Sequence, residues 1–449
     1  MPITRMIVAP KQASPQTAGE LSLGRYGQHF VSTQLVDHVD VPKLPEKPDR
    51  AAVVLFAYYA TDARPRREAE ALTEAGFQVD VISLRHKSSD PARETINGVN
   101  VVLAPLRHRR GGKLSYVLEY GFFFIYAFLL LSKWSMKRRY RVVHVHNMPD
   151  FLVFSAWLPR LRGAKVVLDL HDPMPEIFAS MYGLPSGHFA PWLLRRIEKW
   201  STGFADLVVT PNLAFKELFA SRGCSADKIE IVMNTPDTEL FHEHMTVPVS
   251  AASGVRPFKL MYHGLLVKRH GMDLAIQAMA CLRPRIPQIE MHLYGEQTQF
   301  MTWLMGEVSQ WKLEEAVHYH GYKPLPEIAD AIASIDLGVI PNRLNSFTRI
   351  NLPTRIFEYL AMGKPVIAPR TQGIADYFKD EEIIYFEPGN VDDLARKMEW
   401  VYQHPAETRS VVERGRKVYK KYSWELERSR WTGLVKGLGP RRVAATAQG

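Results

Sequence analysis

An α/β fold of two doubly wound halves is predicted by three observations on this chain. Short apolar runs rich in Val, Ile and Leu alternate with helical segments from Val53 onward, as parallel strands buried on both faces do. The alternation stops over residues 244–257, which are Pro, Ser, Gly and small residues without periodicity, and restarts at Lys259. At 449 residues the chain can also supply each half with its own core.

Residues 53–58 read as a β-branched and aromatic strand, 65–75 as the helix after it, punctuated by Gly76, and 78–83 as the next strand. Further strands are expected at 99–103, 142–146, 165–170, 206–210 and 229–233. The second half offers strands at 259–263, 289–294, 317–320, 335–340, 365–368 and 383–386, with helices from Asp273 and over 392–402. The last segment, 411–431, places Tyr419, Tyr422 and Trp424 on one basic helix. The organisation expected is a leader at 1–50, a first domain at 51–245, a second at 246–410 and a closing helix within 411–449.

A hydrophobic content of 46% with 23% charged residues is that of a globular protein and excludes wholesale disorder. The two cysteines, Cys224 and Cys281, lie far apart and form no metal-type pair, which points to a reducing, cytoplasmic setting. No apolar h-region stands in the leader, so no signal peptide is expected. The net charge of +10 is concentrated around one apolar run, 120–131. Arg107, Arg109, Arg110 and Lys113 precede it; Lys133, Lys137, Arg138, Arg139 and Arg141 follow. The run is short for a membrane span and has Glu119 beside it. Within the region 107–141 an aromatic helix with basic flanks suits peripheral docking on an anionic membrane, the alternative being a buried helix with solvated ends. Nucleic acid is not expected, because the aromatics are contiguous instead of interleaved with the charges.

Ligands of doubly wound sheets gather at the carboxyl ends of strands, and the chemically informative residues stand there. In the run 351–368, Pro353 can open a helix because its missing N–H would be an orphan anyway. Leu352, Pro353 and Thr354 then form a helix start whose free N–H groups and dipole suit phosphate. Glu358, about a turn on, falls at the reach of ribose hydroxyls. Gly363 can end the helix in the left-handed conformation, and 365–368 returns into a buried strand. After the strand 259–263, Gly264 permits close approach of a ligand, and Lys268 and Arg269 add charge, Arg269 with the fork that grips a diphosphate. His171 and Asp172 end another strand, where imidazole and carboxylate suit sugar hydroxyls. His144 and His146 share one strand face, but no third ligand stands at metal spacing, so they read as lining or core. Asn234 to Asp237 reads as an Asx turn.

These runs, over nearly the whole chain after Arg50, resemble the retaining glycosyltransferases of the family 4-like, group 1 type, which includes many bacterial cell-surface polysaccharide enzymes. The resemblance implies a GT-B fold, two Rossmann-like domains facing across a cleft. It also implies transfer from a nucleotide-sugar donor to a glycan or lipid-linked acceptor, at the cytoplasmic face of the membrane, without cofactor or metal. His171, Asp172 and Arg269 take the catalytic roles it implies. Gly264, Lys268, Arg269, Leu352, Pro353, Thr354 and Glu358 take the donor-binding ones. Two departures stand out. Leu265 replaces an arginine common after the first glycine, and Ile350 stands where a first carboxylate precedes Glu358 in the most familiar form. Two other enzymes and a catalytically dead relative stay open. An epimerase of the same fold is one. A dinucleotide oxidoreductase is the other, although Tyr58 to Arg64 lacks its glycine fingerprint.

Overall fold

A computed structural model describes residues 48–106, 113–185, 187–242 and 256–439. The leader through residue 47, Arg107, Arg109, Arg110 and most of the expected linker lie outside the described residues. Eight strands form the first sheet: β1 (Arg50–Val54), β2 (Gln78–Leu84), β3 (Arg93–Ile96), β4 (Val99–Ala104), β5 (Val142–His146), β6 (Lys165–Asp169), β7 (Leu207–Thr210) and β8 (Ile229–Ile231). Six form the second: β9 (Phe258–His263), β10 (Ile289–Tyr294), β11 (Val317–Tyr319), β12 (Leu337–Val339), β13 (Val366–Pro369) and β14 (Ile384–Phe386).

The orders are β3-β4-β2-β1-β5-β6-β7-β8 and β11-β10-β9-β12-β13-β14. Every pairing is parallel except β3 with β4. Two doubly wound sheets with helices on both faces are the GT-B architecture expected. The edge strand β3 has no signal in the sequence because RETI is only four residues long and Ile96 is its one apolar side chain.

The first sheet carries a different core on each face. One face packs Phe123, Leu131, Leu152 and Phe215 against Val54, Val143 and Val145. The other packs Leu72, Val81 and Val167 beneath Trp431 and Val435 of the closing helix. The expected single helix at 411–431 is in fact two, Pro405–Lys420 and Trp424–Gly437, parted by a turn. Tyr419 and Tyr422 stay with the second domain's core. The Trp431 indole donates to the Glu68 carbonyl at 3.0 Å, tying the last helix to the first domain.

The long helix is Lys113–Lys137, twice the length of the apolar run that marked it. It is long and apolar enough to cross a membrane, and only 28% of its most apolar window is buried. Phe123, Ala127 and Leu131 nevertheless fill the sheet's core completely.

Ile350 explains itself at this level. With Phe347 it leaves the second domain and packs into the first domain's core, so the loop before the donor helix is an apolar plug. The same join has the Leu213 N–H donating to the Tyr377 hydroxyl at 2.8 Å and the rings of Phe215 and Phe347 at 6.3 Å. A carboxylate at position 350 would lie in that core.

Candidate functional site

The second domain's share of the site is built on the ends of β9 and β10 and on the helix Thr354–Ala361. Pro353 is this helix's cap and not its first residue (φ −66°, ψ 124°), and no side chain caps the exposed N–H groups behind it. Leu352 and Pro353 are buried, which fixes the helix start, while Thr354 is half-exposed. Gly363 takes φ +69° and closes the helix.

Arg355, which sequence reasoning passed over, turns back from the helix's first turn to the loop after β9. Its Nη1 donates to the Tyr262 hydroxyl at 2.9 Å, and its guanidinium lies 4.7 Å from the Tyr262 ring centre. Gly264 sits at φ +116°, and a Cβ there would come within 3.2 Å of the Arg355 guanidinium carbon. The glycine is needed both for its conformation and for the room. Gly271 is needed for the same two reasons, since φ is +66° and a Cβ would meet the Pro341 carbonyl oxygen at 2.0 Å.

Positive charge accumulates here beside a carboxylate, Glu358, that His263 already engages. Lys268 is exposed. Arg269 is half-buried, and its Nε has no hydrogen-bond partner. Burial pushes the Arg269 pKa down, Asp172 opposes that, and Arg355 adds to it. His270 does not join the cations: burial and then Arg355 push it down to about 3. The Arg355 guanidinium thus lies against Gly264 at the first turn of an uncapped helix, with Arg269 near enough to feel its charge, an arrangement that fits an anion.

Glu358 faces the same space but is already engaged. Its Oε2 lies 2.5 Å from His263 Nε2, while His263 Nδ1 lies 3.1 Å from the Tyr359 hydroxyl. Beside them a pocket of about 380 Å³ opens between the carboxyl ends of β9 and β10, lined by Gly264, Leu265, Tyr294, Tyr322 and Ile328. A hollow of about 440 Å³ beside Phe258 and Tyr402 lies instead at the strands' amino ends, where ligands of such sheets do not gather.

The first domain contributes His171 and Asp172, directly after β6, both half-buried. Burial opposes charge on His171, yet the Asp169 carboxylate 3.6 Å away, with Asp172 behind it, carries its pKa up to about 9. Burial raises Asp172, and His171 and then Arg269 pull it back. Arg269 and Asp172 therefore feel each other's charge from opposite domains, and His171 adjoins Asp172 in the chain.

Behind His171 lies a buried polar cluster. Glu68 and Asp169 supply the third and fourth donors that the sequence did not reveal beside His144 and His146, all within 4.8 Å of one another. The spacing suits a metal, but a cation is already there: Arg64 Nε donates to Asp169 at 2.8 Å, and Arg64 lies 3.3 Å from Glu68. Against the cost of burial, Arg64 and then His146 hold Asp169 well below the carboxylate range. Burial lifts Glu68 to about 8, with Arg64 opposing. Asp237, expected in an Asx turn, accepts from the Glu239 N–H at 2.9 Å.

Residues 61–235 match the glycosyl transferase 4-like domain, and 257–404 match the glycosyl transferases group 1 domain. The chain is 26% identical to the glycogen synthase of Mycobacterium tuberculosis over 354 residues, 75% of this chain and 80% of that one. It is 22% identical to the sulfoquinovosyl transferase SQD2 of Arabidopsis thaliana over 298 residues, 63% of this chain but only 54% of that one. The sucrose-phosphate synthase of Thermosynechococcus elongatus superposes with a TM-score of 0.68 at 19% identity, covering 87% of this chain and 99% of that one. The fold and the two matched domains together define a GT-B glycosyltransferase. The chain belongs to the glycosyl transferases of group 1.

Proposed function

We propose that the protein transfers a sugar, with retention of anomeric configuration, from a nucleoside-diphosphate sugar to a glycan or lipid-linked acceptor in polysaccharide or glycolipid synthesis. One observation carries this: Arg355, in the first turn of the uncapped helix Thr354–Ala361, lies against Gly264 and close enough to Arg269 for its charge to be felt there. Such a cradle stabilises negative charge developing on a departing diphosphate. Thr354 lies at the helix start beside it, and Lys268 at its exposed rim. The neighbouring pocket takes the nucleoside, with Tyr294 and Tyr322 offering flat apolar surface. Glu358 receives the ribose hydroxyls through the carboxylate that His263 holds in place. His171 and Asp172 contact the transferred sugar or the acceptor from the other domain, and cleft closure keeps water from the donor. The glycan acceptor is favoured by the likeness to a glycogen synthase. The lipid-linked acceptor is favoured by the exposed apolar helix Lys113–Lys137, with the chain working at the cytoplasmic membrane face. The test is release of nucleoside diphosphate across a panel of sugar nucleotides, with and without membrane extract, and NMR of the product's anomeric centre. Turnover with none of them would overturn the reading, and inversion would overturn its stereochemical half.

A further inference from the structure

The outward side of the first domain bears a surface that the donor chemistry does not use. On the helix Lys113–Lys137, Leu118, Phe122, Ile125 and Leu129 form one stripe at helical spacing, and three of them are 57–66% exposed. Lys133 continues the stripe, also exposed. A second helix, Phe189–Phe204, repeats the pattern: Phe189, Trp192 and Trp200 point outward together with Arg196 and Lys199. Sequence reading had singled out only the first of these helices.

Both helices belong to the same face of the sheet. Phe154 packs on Phe204 at 5.1 Å, and Trp157 stacks on Phe204 at 5.7 Å while staying 53% exposed. The short helix Trp157–Leu161 thereby bridges the two stripes, adding exposed Leu161. Neither stripe carries an acid, because Glu119 and Glu198, the acidic residues of these helices, are both buried. An apolar, tryptophan-bearing surface whose exposed stripe charges, Lys133, Arg196 and Lys199, are all positive complements anionic lipid.

We infer that these three helices together dock the protein on an anionic lipid bilayer, lying in the interface without crossing it. Crossing would withdraw Phe123, Ala127 and Leu131 from the sheet they cover, exposing that core. The inference rests on the lipid-linked acceptor proposed above and supplies the surface that such an acceptor needs. It also accounts for access. The helix Met174–Tyr182 begins two residues after Asp172 and ends at Met181 and Tyr182, both exposed, beside the helix Phe189–Phe204. Nine residues span about 13 Å, so a lipid headgroup at this face is one short helix from the cleft.

The experiment is flotation of the full chain with phosphatidylcholine vesicles, with and without phosphatidylglycerol, alongside nucleoside-diphosphate release in free solution. The chain is expected to float with the anionic vesicles, less so at high salt, and little with the neutral ones. Ile125→Glu with Leu129→Glu, and separately Trp192→Ser with Trp200→Ser, are each expected to lower partitioning roughly tenfold or more. Donor turnover in free solution should stay unchanged in both, which also reports that they fold. A chain that turns over donor but never floats would overturn the docking surface while leaving the transferase reading intact. Flotation by Lys113–Lys137 alone, insensitive to the tryptophan pair, would overturn the three-helix surface. A dimer in solution that Ile125→Glu dissociates, with no flotation, would assign the face to a second copy and overturn the inference.

Discussion

The Arg355 guanidinium lies against Gly264, close enough that a Cβ on that glycine would stand 3.2 Å from its central carbon. The resemblance leads to the expectation of an arginine directly after this glycine, where the present chain has the exposed Leu265. Here the charge arrives from the other side, from the first turn of the helix Thr354–Ala361. Arg355→Ala should weaken binding of a nucleoside diphosphate roughly ten- to hundredfold, the worth of charge-assisted hydrogen bonds. Arg355→Lys should recover only part of it, lacking the fork. Calorimetry with the free nucleotide, beside a melting curve to show that both variants fold, decides this. Unchanged affinity in Arg355→Ala would remove Arg355 from the cradle.

Glu358 and His263 act as a pair, so their losses should not add. Glu358→Ala should abolish measurable donor binding, and His263→Ala should weaken it by releasing the carboxylate from its 2.5 Å contact. The double variant should bind no worse than Glu358→Ala, because residues sharing one contact are coupled. Additive losses would mean that His263 has its own role, and donor binding untouched by Glu358→Ala would refute the ribose contact.

Most strands could be read from composition because β-branched runs between glycines leave few alternatives. Val142–His146 and Ile289–Tyr294 even have the expected bounds. What could not be read depends on distant residues meeting. Arg355 looked like one more helix charge until its side chain was seen to turn toward Tyr262. Glu68 and Asp169 come from a helix and a strand 101 residues apart in sequence, so the cluster around His144 and His146 had no local signature. The helix Phe189–Phe204 mixes tryptophans with charge so evenly that only burial shows which side faces outward.

Ile350 supplies a test of why the first carboxylate is missing. If its place in the first domain's core is structural, Ile350→Glu should gain no activity and should destabilise by roughly 3 kcal/mol or more, as an uncompensated buried charge does. Urea unfolding of the two proteins measures this. Higher transfer activity with undiminished stability would place position 350 in the sugar site instead.

Trp431 is the pin of the closing helix. It is fully buried, donates to the Glu68 carbonyl and lies 4.5 Å from the His144 ring. Trp431→Ala should cost about 3–5 kcal/mol through the cavity it leaves. Trp431→Phe should cost less, keeping most of the volume and losing the indole N–H. Chemical denaturation of both separates packing from the hydrogen bond, and equal losses would place the whole effect in that bond.

Glu68 makes stability depend on pH with a definite sign. Its ordinary value is 4.5, and burial lifts it to about 8 in the folded protein, so between those values the folded state holds a proton that the unfolded chain has released. The contribution is complete below the ordinary value and is lost as pH rises through about 8. Glu198, lifted by burial to about 8, acts in the same direction, whereas His144 and His146, pushed down by burial, act oppositely and only toward acid. Above the range where the histidines act and up to about pH 8 the melting temperature should therefore fall, and Glu68→Gln, which keeps a neutral side chain at every pH, should flatten that slope. Glu198 should leave some slope behind. A Glu68→Gln protein whose melting temperature follows pH as steeply as the parent's would show that Glu68 is ionised in the fold, balanced by Arg64 instead of by its own proton.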